Sequence, residues 1–286
     1  MPLLIFVTIL WAFSFSLIGV YLAGNVDSYF AVLTRVLLAA LVFLPLLRPR
    51  ACAPRTALTL MGIGALQLGL MYLFYYQSFL LLSVPEVLLF TIFTPLYIAL
   101  FYDLLAHRFS PQNLCVAALA VAGAAIIRWG QPRGDFWLGF LVVQGANLCF
   151  ALGQVAYKQF MQSAPTVPAR HLFGWFYLGA ALVAICAWLW LGKPQYPHTA
   201  LQWGILLWLG LVASGLGYFL WNKGATQVSA GTLAAMNNAL IPAGLAVNLL
   251  IWNRDADLLR LGLGGAVIAA AVIFNEWRIR RQTPPD

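Results

Sequence analysis

The chain has 286 residues, 63% of them hydrophobic and 8% charged, and its mean hydropathy is +0.87. A soluble domain carries about 25% charged residues to present a wet surface, so this composition excludes one. The formal charge of +8 is dispersed over short loops rather than along one helix face, which reads as membrane topology and not as a nucleic-acid surface.

Spanning hydrocarbon takes roughly 20 residues of helix, and apolar stretches of that length recur from end to end. They do not alternate in short segments, so a β-barrel is excluded as well. In chain order the predicted spans are Leu3–Tyr21, Tyr29–Leu47, Ala57–Leu80, Val84–Tyr102 and Gln112–Ile127, then Phe136–Tyr157, Leu172–Leu191, Leu201–Trp221, Ala230–Ile251 and Leu258–Phe274. The first has no basic segment before it and is too long for a leader's apolar region, so it reads as a span. Breakers such as Arg48-Pro49-Arg50 and Gln131-Pro132-Arg133-Gly134 fill the connections. The expectation is an all-α polytopic membrane protein of ten transmembrane helices.

Orientation follows from the loop charges. With the N-terminus inside, Arg48, Arg50, Arg55, Arg108, Lys158, Arg170, Lys223, Arg278, Arg280 and Arg281 fall on the cytoplasmic side. Arg128, Arg133, Lys193, Arg254 and Arg260 fall on the other. The excess places both termini in the cytoplasm. The two halves also echo each other. Pro95 in the fourth span and Pro242 in the ninth each follow a small residue, Ser78 or Ala225, by seventeen positions, and each precedes an arginine at the span's end. Five spans per half is odd, so residues 1–134 and 135–286 are expected to be inverted repeats, with a solute site between them near midplane.

Polar residues inside spans mark a bundle interior or a cavity. On the sixth span Gln144, Asn147, Ala151, Gln154 and Lys158 share one helical face, either a cavity wall or a set of interhelical hydrogen bonds. Asn237 and Asn238 stand one turn before Pro242, where an amide can bind a ligand or satisfy the carbonyl that proline frees. Arg35 lies in the outer half of the second span without an acidic neighbour in that span. It fits either a solute carboxylate or outward snorkelling. Glu86 follows Pro85 at the start of the fourth span, the position of an ordinary helix cap or of a proton-coupling carboxylate. Trp11, Tyr72, Trp175, Tyr177 and Tyr218 lie deep enough to stack on a flat solute or simply to pack, and Asn222 is a further polar candidate.

Cys52, Cys115, Cys149 and Cys186 have no paired spacing, and His107, His171 and His198 are scattered, so no metal, disulfide framework or cofactor is expected. Ser214 in VASGLG would need a nearby histidine base to act as a nucleophile, and none follows His198. With no HExxH or P-loop either, an enzyme is not expected.

The segments ILWAFSFS, FAVLTR and LLFTIFTPLYIALFYDLL resemble the drug/metabolite transporter superfamily, EamA type, over nearly the whole chain. The blocks VASGLGYFLWNKGATQVSAGTL and MNNALIPAGLAVNLLIW are similar, more narrowly, to the biotin transporters within it. The resemblance implies ten helices that take up biotin across the cytoplasmic membrane without ATP hydrolysis. Alternating access is the expected mechanism, with a proton the simplest cation to offset the charge of the anion. The resemblance also implies that the first to fourth and sixth to ninth spans surround the cavity. Export of amino acids or other metabolites is the alternative within transporters; a membrane receptor or scaffold is the alternative outside them.

Overall fold

A computed structural model describes residues 1–105, 135–163, 168–228 and 230–252, with scattered positions beyond. The predicted fifth span lies outside the described residues, and the predicted tenth is described only at isolated positions. The described residues form helices without strands. Helices α1 (Pro2–Leu22), α2 (Ser28–Leu46) and α3 (Pro54–Leu81) are followed by α4, in which Val84–Phe90 passes through a 3-10 turn, Thr91–Phe93, into Thr94–Leu105. Then come α5 (Phe136–Ser163), α6 (Phe173–Leu191), α7 (Ala200–Ala225) and α8 (Ala230–Ile251). They correspond to predicted spans one to four and six to nine.

Six of these helices, α1 to α3 and α5 to α7, are long and apolar enough to cross a membrane. In α4 and α8 the described apolar stretches are shorter, Val84–Ile98 and Met236–Ile251. Helix starts follow local chemistry. Asp27 accepts from the Phe30 amide at 2.9 Å, and Ser83–Glu86 and Thr199–Gln202 each form a reciprocal capping box. The largest departure from the predicted boundaries is at the end of α5, which runs to Ser163 rather than Tyr157. A hydropathy reading stops at Lys158, whereas Lys158, Gln159 and Gln162 are all good helix formers that carry the helix on. Pro242 lies inside α8 as expected, but Pro95 does not interrupt a continuous helix. It stands at the second residue of Thr94–Leu105, where its missing N–H costs little.

The helices pack in a reciprocal pattern. α1 packs on α7 and α8, α5 packs on α3 and α4, α2 packs on α7, α6 packs on α3, and α2 and α6 pack on each other. Exchanging α1–α4 with α5–α8 maps this set of contacts onto itself. Two equivalently placed helices also carry π-helical segments, Ala65–Leu70 in α3 and Trp208–Leu216 in α7. The crossing of α3 and α6 is tight enough to depend on glycine at two points. A Cβ on Gly64 would collide with the Phe176 carbonyl, and one on Gly179 with the Met61 carbonyl. In lipid, where burial gives helices no hydrophobic reason to associate, such close approach supplies the packing energy. Along the helices, large apolar side chains remain exposed, among them Ile9, Leu41, Leu141, Leu182 and Leu189.

Candidate functional site

The site is organised around Arg35, two turns into α2 and only 2% exposed. Its Nε donates to Ser214 Oγ at 3.0 Å, one terminal nitrogen to the Tyr76 hydroxyl at 3.2 Å, and the other to the Tyr72 hydroxyl at 2.8 Å. Tyr72 and Ser214 also share a hydrogen bond of 2.8 Å. The Arg35 guanidinium carbon lies 4.3 Å from the Tyr72 ring centroid and 5.7 Å from that of Tyr76, within range of cation–π attraction. All three hydrogen-bond partners are neutral hydroxyls. They use three of the five guanidinium N–H groups, and among the described residues its hydrogen-bond partners bring no opposite charge.

The π-segment of α7 fixes this arrangement. Its wider turn presents carbonyls sideways, and side chains from three other helices use it. Trp11 Nε1 donates to the Ala213 carbonyl at 2.9 Å, the Tyr177 hydroxyl donates to the Ser214 and Gly215 carbonyls at 2.7 Å each, and Arg35 takes the Ser214 side chain. Isolated π-turns recur at functional sites because they offer backbone groups that a regular α-helix keeps for itself.

Beside Arg35 lies a cavity of about 90 Å³. Trp11, Ser14 and Phe15 of α1, Met71, Tyr72 and Tyr75 of α3, and Tyr218 and Trp221 of α7 form much of its wall. Thr91, Thr94, Asn147, Phe150 and Asn237 complete the polar and far side. Trp11 sits 5.0 Å, centroid to centroid, from both Tyr218 and Trp221, giving an aromatic wall suited to a flat apolar ring.

Of the residues singled out from sequence, Trp11, Arg35, Tyr72, Asn147, Tyr218 and Asn237 therefore line one cavity. The others stand behind it. Gln144 Oε1 accepts from Asn147 at 3.1 Å and from the Tyr97 hydroxyl at 3.1 Å, so it holds Asn147 in place. Asn147 also donates to the Phe90 carbonyl at 2.8 Å and accepts from Thr94 at 3.3 Å. Tyr177 buttresses the π-segment. Asn222 accepts from Gln67 at 3.1 Å outside the cavity lining. Trp175 is half-buried and lies outside that lining, as does Asn238. Asn237 donates to the Leu233 carbonyl at 2.8 Å, one turn back, and not to the carbonyl that Pro242 frees. Glu86 sits in the Ser83 capping box, its Oε2 accepting from Ser83 N and Oγ at 2.8 Å each.

Sequence reasoning overlooked Tyr76, Ser14, Thr91, Thr94, Phe150 and Trp221, and considered Ser214 only as a nucleophile. Helical spacing carried a signal for three of these. Tyr76 is one turn from Tyr72, Trp221 is three residues from Tyr218, and Phe150 three from Asn147. Ser14, Thr91 and Thr94 are small and carried none.

The EamA-like transporter family model matches residues 1–129 and 137–276. A relative from Pseudomonas aeruginosa, named a probable biotin transporter, is 59% identical over 96% of this chain and 97% of its own. A relative from Escherichia coli K12, named a biotin transporter, is 54% identical over 100% of this chain and 97% of its own. A Salmonella typhimurium relative of the same name has the same identity and coverage. A solved structure, titled only as a protein, superposes with a TM-score of 0.65 at 19% identity over 95% of this chain and 94% of that one, which is a likeness of fold alone.

Proposed function

The chain belongs to the EamA-like transporter family, and on that premise we propose that it takes up biotin across the cytoplasmic membrane. The carrying observation is Arg35, a buried guanidinium whose partners are all neutral. Burying a charge without an opposite one costs several kcal/mol, and a solute carboxylate removes that cost when it binds. Biotin matches the rest of the cavity, with an apolar bicycle for the Trp11–Tyr218–Trp221 wall and a polar ureido head. Expression of the chain in a strain that neither makes nor imports biotin is expected to restore growth on trace biotin. Failure to do so with the protein present in the membrane rejects the reading.

Transport proceeds by alternating access between two inverted five-helix repeats, residues 1–134 and 135–286. The reciprocal packing of α1–α4 and α5–α8 and the paired π-segments support this arrangement. Both termini then lie in the cytoplasm. Reporters fused after Arg281 and inserted between Arg48 and Arg55 are expected to mark the same, cytoplasmic side; a periplasmic signal from either contradicts the inverted repeat.

A biotin anion entering a cell that is negative inside is opposed by about 2.3 kcal/mol per 100 mV. Accumulation therefore requires a cation, and a proton is the simplest. One proton per anion makes the cycle electroneutral, so collapsing the pH gradient is expected to abolish accumulation while collapsing the voltage alone changes it little. Glu86 acts as a cap in this cycle. Glu86→Gln preserves the capping box and is expected to keep the pH dependence. A variant that stays in the membrane but loses that dependence makes Glu86 the proton carrier instead.

A further inference from the structure

Around Trp221, three amide side chains lie in the protein interior on neighbouring helices. Gln67 comes from the π-segment of α3, Gln154 from α5 and Asn222 from α7, and each is fully buried. They lie at matching depth. Gln154 is seven residues past Asn147, about 10 Å along the helix. Asn222 is one turn past Tyr218, and Gln67 precedes Tyr72 by five residues. Gln67 Nε2 donates to Asn222 Oδ1 at 3.1 Å, and Trp221 Nε1, from the residue before Asn222, donates to Gln154 Oε1 at 2.6 Å; Gly153, the residue before Gln154, packs on the Gln67 side chain. Gln67 Oε1, Gln154 Nε2 and Asn222 Nδ2 are buried without a partner. Each orphan of this kind is a cost to the fold, and three on neighbouring helices are not accounted for by packing.

The orphaned atoms are one acceptor and two donors. A turn of the Trp221 ring out of its bond with Gln154 adds a second acceptor, Gln154 Oε1. Two donors and two acceptors, if brought to one spot, are the complement of a cyclic urea. Its carbonyl oxygen takes two N–H groups, here from Gln154 and Asn222, and its two N–H groups find Gln154 Oε1 and Gln67 Oε1. We propose that Gln67, Gln154 and Asn222 form an inner binding station for the ureido head of the solute, closed in this structure by the Trp221–Gln154 hydrogen bond. The inference rests on the biotin reading and extends it. Lys158, one turn beyond Gln154, donates to the Val228 carbonyl at 2.7 Å, so the station lies between the cavity and the end of the bundle where α5 terminates.

The test is discrimination rather than rate. Uptake of labelled biotin by cells carrying the full chain is competed with biotin and with an analogue in which sulfur, a weak acceptor, replaces the ureido oxygen. The wild-type chain is expected to prefer biotin by about tenfold, one lost charge-free hydrogen-bond pair. Gln154→Met and Asn222→Leu are expected to bring that preference below about twofold. Variants that slow uptake of both compounds equally and keep the preference overturn the station, and so does a wild-type chain that imports biotin without any preference. A wild-type chain that imports no biotin overturns the parent reading instead. Should these variants fail to reach the membrane, Asn222→Cys in a chain whose four cysteines are serine provides a second measurement. Biotin is expected to protect that thiol from a small membrane-permeant reagent, and unchanged labelling with biotin present contradicts the proposal.

Discussion

Arg35→Met is expected to abolish biotin uptake while leaving the protein folded in the membrane. The substitution removes the one buried charge that α2 brings to the cavity, together with three hydrogen bonds to Ser214, Tyr72 and Tyr76. Tyr72 and Ser214 keep their mutual bond of 2.8 Å, so of the three hydroxyls Tyr76 alone loses its hydrogen bond, while an uncompensated charge has been relieved. Stability is therefore expected to hold or rise. Binding behaves differently. A desolvated carboxylate that loses its partner forfeits about 3–5 kcal/mol, between roughly a hundredfold and a few thousandfold in Kd. Arg35→Lys is expected to fall between the two, because an ammonium keeps the charge but cannot reach three divergent acceptors with a planar fork. Wild-type uptake in Arg35→Met, at matched protein levels, contradicts the assignment.

The second large effect is structural. Gly179→Val is expected to remove most folded protein, measured as the monodisperse fraction after extraction in mild detergent. The added atoms meet the Met61 carbonyl of α3, which is backbone and cannot rotate away, so α6 must move off α3. Overpacking in a well-packed interior costs about 1–3 kcal/mol. Here the shift also disturbs the reciprocal contact of Gly64 with Phe176, and with it the helix that presents Tyr72, Tyr76 and Gln67. Gly204→Ala is the control, since a Cβ there meets nothing within 4 Å and alanine is the better helix former. It is expected to leave the folded fraction unchanged. Equal behaviour of the two variants contradicts the role given to the α3–α6 crossing.

Much of this was legible in the sequence, and for identifiable reasons. Long apolar stretches announce themselves because lipid tolerates little else, so α1, α2, α3, α5, α6 and α7 were located to within a few residues except where α5 continues past Lys158. The 3-10 turn at Thr91–Phe93 was not legible, because Thr, Ile and Phe lower helix propensity only by tenths of a kcal/mol, about as other β-branched and aromatic residues do throughout the spans. Arg35 stood out because an unpaired cation inside a span is costly. Its partners did not, because Tyr72, Tyr76 and Ser214 converge from α3 and α7 and no local spacing links them to α2. The π-segment that aims the Ala213, Ser214 and Gly215 carbonyls has no sequence signature of its own. The buried stripe on α5 was visible as a helical period, yet the period could not say that Asn147 faces the cavity while Gln144 braces it and Gln154 accepts from Trp221.

In the proposed function the Arg35 charge receives the carboxylate of biotin. Binding of labelled biotin to the purified protein in lipid bilayers, competed by unlabelled biotin and by its methyl ester, tests it most directly. The two competitors share the ureido head and bicycle and differ in the single negative charge. The ester is expected to compete at least about a hundredfold more weakly than biotin, the scale of a lost buried ion pair, and Arg35→Met is expected to erase the difference between them. An ester that competes as well as biotin against the wild-type protein contradicts that role of Arg35.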